Sequence, residues 1–322
     1  MHRILNISEN LETDITPLIG SIQWRSNINE LGDQLDFDIA FNDAQYFPKN
    51  PVDIGNAICL VNQEELFRGV VVTEQKNGRQ PIQYTCFDYA FYLNKNKAVY
   101  QFNKIAAKKA IEMILTEHKI PIGNISQLNT VIKKIYVNEP VSDIIRDLID
   151  IEEKETGVKY RMEMRRGKLH IEKKEDLLVK ATFKLAENIA AYDVTRAISN
   201  PSRKRSIEEM KNRVGILLND QIIETKEDQD LIRKYGVLQE FMQISNKDKV
   251  QAKNIAQKML EDLGKIFEEN SIELPGNDQV RAGRTLELEE PITGMIGKYL
   301  VKDVIHRVEK GIHRMSVGLE AV

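Results

Sequence analysis

The chain has 322 residues, enough for two or three domains with a sizeable core. Its 46 Lys and Arg stand against 49 Asp and Glu, a net charge of −3, so it lacks the basic surplus of a dedicated nucleic-acid binder. The 42% hydrophobic and 30% charged residues are ordinary for a globular protein. Cys59 and Cys86 are too few for a disulfide scaffold and read as reduced core residues, although a bridge between them stays open. Residues 1–20 lack the charged-then-apolar order of a signal peptide, and no run approaches the roughly 20 apolar residues of a membrane helix. A product made in the cytoplasm is expected.

Residues 1–102 read mostly as β. Ser21–Arg25 and Leu35–Phe41 alternate polar with apolar, which places Leu35, Phe37, Ile39 and Phe41 on one face and Asp36 and Asp38 on the other. Pro48 and Pro51 break the pattern. Further strands are expected at Ala57–Val61, Leu66–Val72 and, after the hairpin signal Asn77-Gly78, Ile82–Phe87. Short strands at this spacing suggest a small barrel or sandwich.

Residues 103–178 change character. Asn103 offers an N-cap for a helix over Ile105–His118, with Ile111, Ile114 and Leu115 along one face. A second helix is expected from Pro140, with Val141, Ile144, Ile145, Leu148 and Ile149 as its apolar stripe and Gly157 just past its end. A hairpin follows, from Val158–Met162 through Arg166-Gly167 to Leu169–Ile171.

Residues 179–322 return to β. Ser206-Ile207-Glu208-Glu209 fits a capping box and predicts a short helix. Val214–Leu218 reads as a strand, and a long amphipathic helix is expected between Lys247 and Asn270. The last forty residues hold three β-runs separated by glycine turns, beginning with Arg281-Ala282-Gly283-Arg284. The expected fold class is α+β, mainly β: two β-barrel-like domains, 1–102 and 179–322, flank a small α+β domain, 103–178. The long helix, near 246–270, is inserted before the last strands.

Chemistry needs converging groups, and few converge. With Lys310-Gly311 as a two-residue loop, His306 pairs with Met315 and Val308 with His313, so both histidines share a face and one ion between them is conceivable. Zinc sites need at least three protein ligands and no third is apparent, so packing histidines are favoured. Asp36 with Asp38, or Glu287 with Glu289, form carboxylate pairs that read more simply as wet strand faces. Glu152, Glu153 and Glu155 read as a solvated helix end. Arg161, Arg165, Arg166 and Lys168, and Arg203, Lys204 and Arg205, read as solvated turn or strand faces. Trp24, Tyr84, Tyr89, Tyr92 and Tyr100 suit packing better than sugar binding, and Met295 and Met315 read as gap-fillers. No H-E-x-x-H, G-x-S-x-G, Walker or G-x-G-x-x-G pattern occurs. No catalytic, cofactor-binding or metal residue and no cofactor is assigned.

Two groups of segments, taken in order and spacing, carry a family resemblance. One runs from Gly55-Asn56-Ala57-Ile58 through Leu66–Val71 to Tyr84–Tyr89 and Tyr92-Leu93-Asn94. The other comprises Lys211–Val214, Arg281-Ala282-Gly283, Gly297–Val301 and the His306–Met315 hairpin, linked to the first by Thr156-Gly157-Val158 and Gly167-Lys168-Leu169. Together they resemble the XkdQ/YqbQ family of prophage tail proteins of Gram-positive bacteria, over essentially the whole chain. The resemblance implies a baseplate hub of a contractile phage tail or a phage-tail-like bacteriocin. Such a hub is a homotrimer of paired barrels, a non-enzymatic structural adaptor between the tail tube protein and the central spike protein. Baseplate wedge and tape-measure proteins are further partners, with neither a membrane nor specific nucleic-acid binding. The resemblance places the product, made in the bacterial cytoplasm, in the assembled baseplate of a virion or tail-like particle. The competing readings are a tail-associated peptidoglycan hydrolase and a cell-wall-binding protein.

Overall fold

In the computed structural model, which describes every residue except 10, 43, 175, 176, 178–181 and 184–191, the chain is mainly β. By its internal contacts it divides into two compact units, Met1–Pro201 with Ser271–Val322, and Ser202–Asn270.

The first unit opens with β1 (Arg3–Ser8), β2 (Leu11–Asp14), β3 (Ile19–Asn27), β4 (Gln34–Ile39), β5 (Ala57–Val61), β6 (Glu65–Gln75) and β7 (Ile82–Asp88). They pair antiparallel in the order β3-β4-β7-β6-β5-β1-β2. The two-residue period works as the alternation demands: Leu35, Phe37 and Ile39 of β4 are buried with Trp24, Leu60, Phe67 and Tyr84. Each such large apolar side chain contributes about 1.5–3 kcal/mol on burial. Phe41 departs from the expected pattern: β4 ends at Ile39, the Ala40 amide turns to the Leu18 carbonyl at 2.9 Å, and Phe41 is exposed. Cys59 and Cys86 are both buried free thiols. Burial pushes the Cys59 thiol up to about 11.

The α+β part consists of α1 (Ala90–Lys95), β8 (Lys97–Ala106), α2 (Ala107–Glu117), β9 (Ile122–Ile125), β10 (Val131–Pro140), α3 (Val141–Thr156), β11 (Tyr160–Arg165) and β12 (Lys168–Lys173). The stripe expected for α3 is the buried one, and the Gly157 amide closes the helix on the Glu153 carbonyl at 2.9 Å. The helix expected from Ile105 starts at Ala107, and Asn103 caps nothing. Residues 97–106 are instead a strand, held antiparallel to β10. Glu152 also departs from expectation. It is buried, because its Oε2 accepts the Thr130 amide at 2.8 Å and so satisfies a loop packed on the helix.

After the two-residue ladder of β13 (Thr182–Phe183) and β14 (Tyr192–Asp193) come β15 (Ser199–Ser206), β16 (Arg213–Leu218), β17 (Gln221–Glu227), α4 (Gln229–Tyr235), β18 (Gln239–Gln243), α5 (Ala252–Leu263) and β19 (Phe267–Pro275). In the second unit β16 lies between antiparallel β17 and parallel β18, and Val214 and Ile216 pack on Ala252 and Ala256 of α5. Two expectations are corrected here. Ser206 opens no helix: its Oγ accepts the amide of Glu208, two residues on, which makes a turn. The helix expected over 247–270 spans only Ala252–Leu263, after a 3-10 turn at Asn246–Gln251. The Gly264 amide ends it on the Leu260 carbonyl, and residues from Phe267 onward are β19.

The first unit is completed by β20 (Thr285–Glu290), β21 (Met295–Glu309) and β22 (Ile312–Ala321). Leu274, Leu288, Tyr299, Val304 and Val317 are among the residues of its core. The 15-residue β21 pairs with β20 and β22, and its second half also pairs antiparallel with β3. The amino- and carboxy-terminal β-runs therefore share one continuous sheet.

Candidate functional site

Two polar clusters sit where these parts of the first unit meet. The first is built on Arg281-Ala282-Gly283-Arg284, the loop before β20. Arg281 pairs with Asp33 and donates to the Met164 carbonyl at 2.9 Å. The Ala282 amide donates to Ser26 Oγ at 3.0 Å. Arg284 grips Glu163 of β11 with two parallel bonds, at 2.6 and 3.1 Å, and both side chains are buried. Gly283 has φ +83, and a Cβ there would lie 2.9 Å from Arg161 Nε, so the loop passes only because this residue has no side chain. Arg161 is itself buried and donates to the Ile28 carbonyl at 2.7 Å. The expectation of a solvated Arg161 thus fails, since the arginine belongs to this joint. Arg166 conforms better: it is largely exposed and pairs with Glu64. In the second unit Arg203 and Arg205 pair with Glu268, and Lys204 with Glu269.

Electrostatics follow from this crowding. Burial alone would raise the Glu163 carboxyl, but the Arg281 and Arg284 guanidinium groups outweigh it and bring it down to about 2. Burial raises Asp33 even though Arg281 opposes the shift. Asp88, which accepts the amides of Asp33 at 2.7 Å and Ala90 at 2.9 Å, is pushed up to about 8 by burial and then by the Asp33 charge. Nothing in this cluster pairs a nucleophile with a base. It can hold three chain segments in register, and buried ion pairs are better at specifying an arrangement than at adding net stability.

The second cluster is aromatic. Lys310 and Gly311 both adopt left-handed φ (51 and 78), the two-residue turn that a tight hairpin needs, and the register is the expected one, His306 opposite Met315 and Val308 opposite His313. β3 adds Trp24 directly opposite His306, and the two rings stack at 4.5 Å with parallel planes. His306 Nε2 meets the Val280 carbonyl at 2.9 Å and its Nδ1 meets His313 Nε2 at 3.0 Å. Burial drives His306 down to about 3 and His313 to about 4. Two residues that sequence reasoning did not find complete the group. His2 Nε2 lies 2.8 Å from Asp278 Oδ1, and His313 Nδ1 lies 3.7 Å from the same oxygen. Burial would raise the Asp278 carboxyl, but hydrogen bonds from His2 and Asn62 hold it below the usual carboxylate range. No local sequence signal links His2 to Asp278; pairing of β3 with β21 and the Pro275-Gly276 turn bring them together.

The remaining candidates stay apart. Asp36 accepts Thr85 Oγ1 at 2.7 Å, and Asp38 accepts the Ser21 amide at 2.7 Å, so both act as structural acceptors. Glu287 and Glu289 are exposed on β20. The Tyr84 hydroxyl is buried against Glu74 at 2.7 Å, and Tyr100 donates to Glu117 at 2.9 Å. Met295 and Met315 are core residues.

This architecture has relatives. The chain matches the YqbQ-like family over residues 22–320, and it belongs to that family. It is 26% identical over 267 residues to the uncharacterized protein YqbQ of Bacillus subtilis strain 168, covering 80% of this chain and 78% of that protein. It is 23% identical over 262 residues to the phage-like element PBSX protein XkdQ of the same strain, with the same coverage of 80% and 78%. Its fold is similar to that of the 43 kDa tail protein of prophage MuSo2 from Shewanella oneidensis, with a TM-score of 0.69 at 13% identity, covering 99% of this chain and 98% of that one.

Proposed function

We propose that this protein is a non-enzymatic structural component of a phage tail or phage-tail-like particle. More narrowly, we propose a homotrimeric baseplate hub that joins the tail tube to the central spike. The observation that carries the reading is the end-to-end similarity of fold to a prophage tail protein, over 99% of this chain and 98% of the other. The relation to a protein of the phage-like element PBSX agrees with it. In this reading residues 1–102 and 179–322 supply two ring-forming β-modules, and 103–178 the α+β part between them.

A hub must be rigid and must self-associate through a closed set of contacts. The buried Arg281–Arg284 joint suits the first demand. The β8–β10 ribbon suits the second. Its inner face buries Phe102, Ile132 and Tyr136, while its outer face carries the directly opposed Val99 and Val137 together with Ile135, each 60–67% exposed. An outward apolar ribbon of this kind is expected to be covered, and we assign it to the contact with a second copy of this chain. Among the described residues no helix is long and apolar enough to cross a membrane.

The test is genetic and visual. In a host producing the particle, deleting the gene should abolish assembled tail tubes, and tagged protein should label one end of each tail. Normal tails from the deletion strain, or label spread along the tube, would overturn the proposal.

A further inference from the structure

We propose that His2, Asp278 and His313 form a binding site for one divalent transition-metal ion of the zinc class, which ties the amino-terminal segment to the carboxy-terminal strands. Each of the three residues offers one donor atom, and these atoms all lie within 4.8 Å of one another; His2 Nε2 is 2.8 Å and His313 Nδ1 3.7 Å from Asp278 Oδ1. A tetrahedral zinc ion with bonds of about 2.0–2.1 Å needs ligand atoms about 3.3 Å apart, between the 2.8 and 3.7 Å that separate Asp278 Oδ1 from the two histidine nitrogens. Two imidazoles and one carboxylate are a donor set suited to zinc, with a fourth position left for water or another ligand.

The hydrogen bonds around the three donors strengthen the case. His306 Nε2 faces the Val280 carbonyl, which only accepts, so this nitrogen carries the proton and Nδ1 of the neutral ring is an acceptor. His313 Nε2, facing that acceptor, must then be the N–H of its own ring. A neutral His313 then carries its lone pair on Nδ1, 3.7 Å from Asp278 Oδ1. A lone pair set against a carboxylate oxygen is repulsive unless a proton or a metal ion lies between them, and a metal ion can serve His313 and His2 at once. The other carboxylate oxygen is held by Asn62 Nδ2 at 2.8 Å, so Asp278 is oriented from behind. The supporting contacts that metal sites place around their ligands are therefore present for two of the three donors, in Val280–His306–His313 and Asn62–Asp278. Gly276 completes the seat: a Cβ at that position would fall 2.0 Å from His313 Cγ, so the ring lies against bare backbone. Coordination at His2 Nε2 requires the proton now shared with Asp278 to leave that nitrogen, either for Nδ1 or for solvent.

The experiment is equilibrium dialysis of the full chain against micromolar zinc chloride, with bound metal counted by elemental analysis and thermal unfolding followed alongside. The expected result is one zinc per chain and a higher unfolding midpoint with zinc than with magnesium. His2→Ala and Asp278→Asn should each weaken zinc binding at least tenfold while keeping the wild-type circular dichroism. Cobalt loaded into the wild-type chain should show the visible bands of a tetrahedral site, a readout that depends on no variant. Zinc bound at less than one-tenth per chain, or equal binding by wild type and both variants, would overturn the proposal.

Discussion

Replacing Arg284 by Ala tests the buried joint most severely. The side chain makes both of its bonds to Glu163, and the two partners are 8% and 6% exposed. Truncation leaves the carboxylate in a dry site without its bidentate partner, and removing one member of a buried pair costs about 3–5 kcal/mol. Arg165 Nε stays 3.0 Å from Glu163, which argues for the lower end. The acid side gives a matching figure. A carboxyl moved from 4.5 to about 2 is worth about 3 kcal/mol, present above pH 4.5 and lost as the pH falls through 2. Urea unfolding at pH 7 and fixed protein concentration should therefore show Arg284→Ala destabilised by about 3 kcal/mol, a large part of the 5–15 kcal/mol typical of a folded domain. The double variant Arg284→Met with Glu163→Leu, which removes both charges and keeps volume, should lose much less. A loss below about 1 kcal/mol for the single variant, or a double variant worse than the single, refutes the reasoning.

Asp88→Asn should gain on the wild type as pH rises. A carboxyl raised to about 8 from 3.8 contributes stability that is full below 3.8 and drains as pH climbs toward 8, at most about 1.4 kcal/mol per pH unit, so parallel stability–pH curves would contradict the assignment. Val99→Asp with Val137→Asp should yield a monomer with an unchanged circular dichroism spectrum; retained self-association would remove the ribbon from the interface. Gly276→Ala should displace the His313 ring and cost about 1–3 kcal/mol, read as a lower urea midpoint, and an unchanged midpoint would show that the turn yields freely.

The sequence made local pairings legible and long-range ones invisible. Lys310-Gly311 dictated the register of His306 and His313, and the stripe from Val141 to Ile149 marked α3, because turn geometry and helical period are both written within a few residues. The start of α2 and the end of α5 differ from the helical pattern for a related reason. Ile105 and Ile266 continue a helical phase, yet strand partners claim the residues around them. Ser206 has the spacing of a cap yet serves a turn. Arg161 and Glu152 looked solvated because their partners, Ile28 and Thr130, are far along the chain. The His2–Asp278 contact spans 276 residues, and long-range pairing such as that of β3 with β21 is needed to create it.

As the hub proposed above, this chain would close a threefold ring. Size-exclusion chromatography with light scattering, on purified protein alone and with the proposed spike partner, measures it directly. The expected mass of this component is three times the 37.0 kDa of one chain. A strictly monomeric species in both conditions would contradict it.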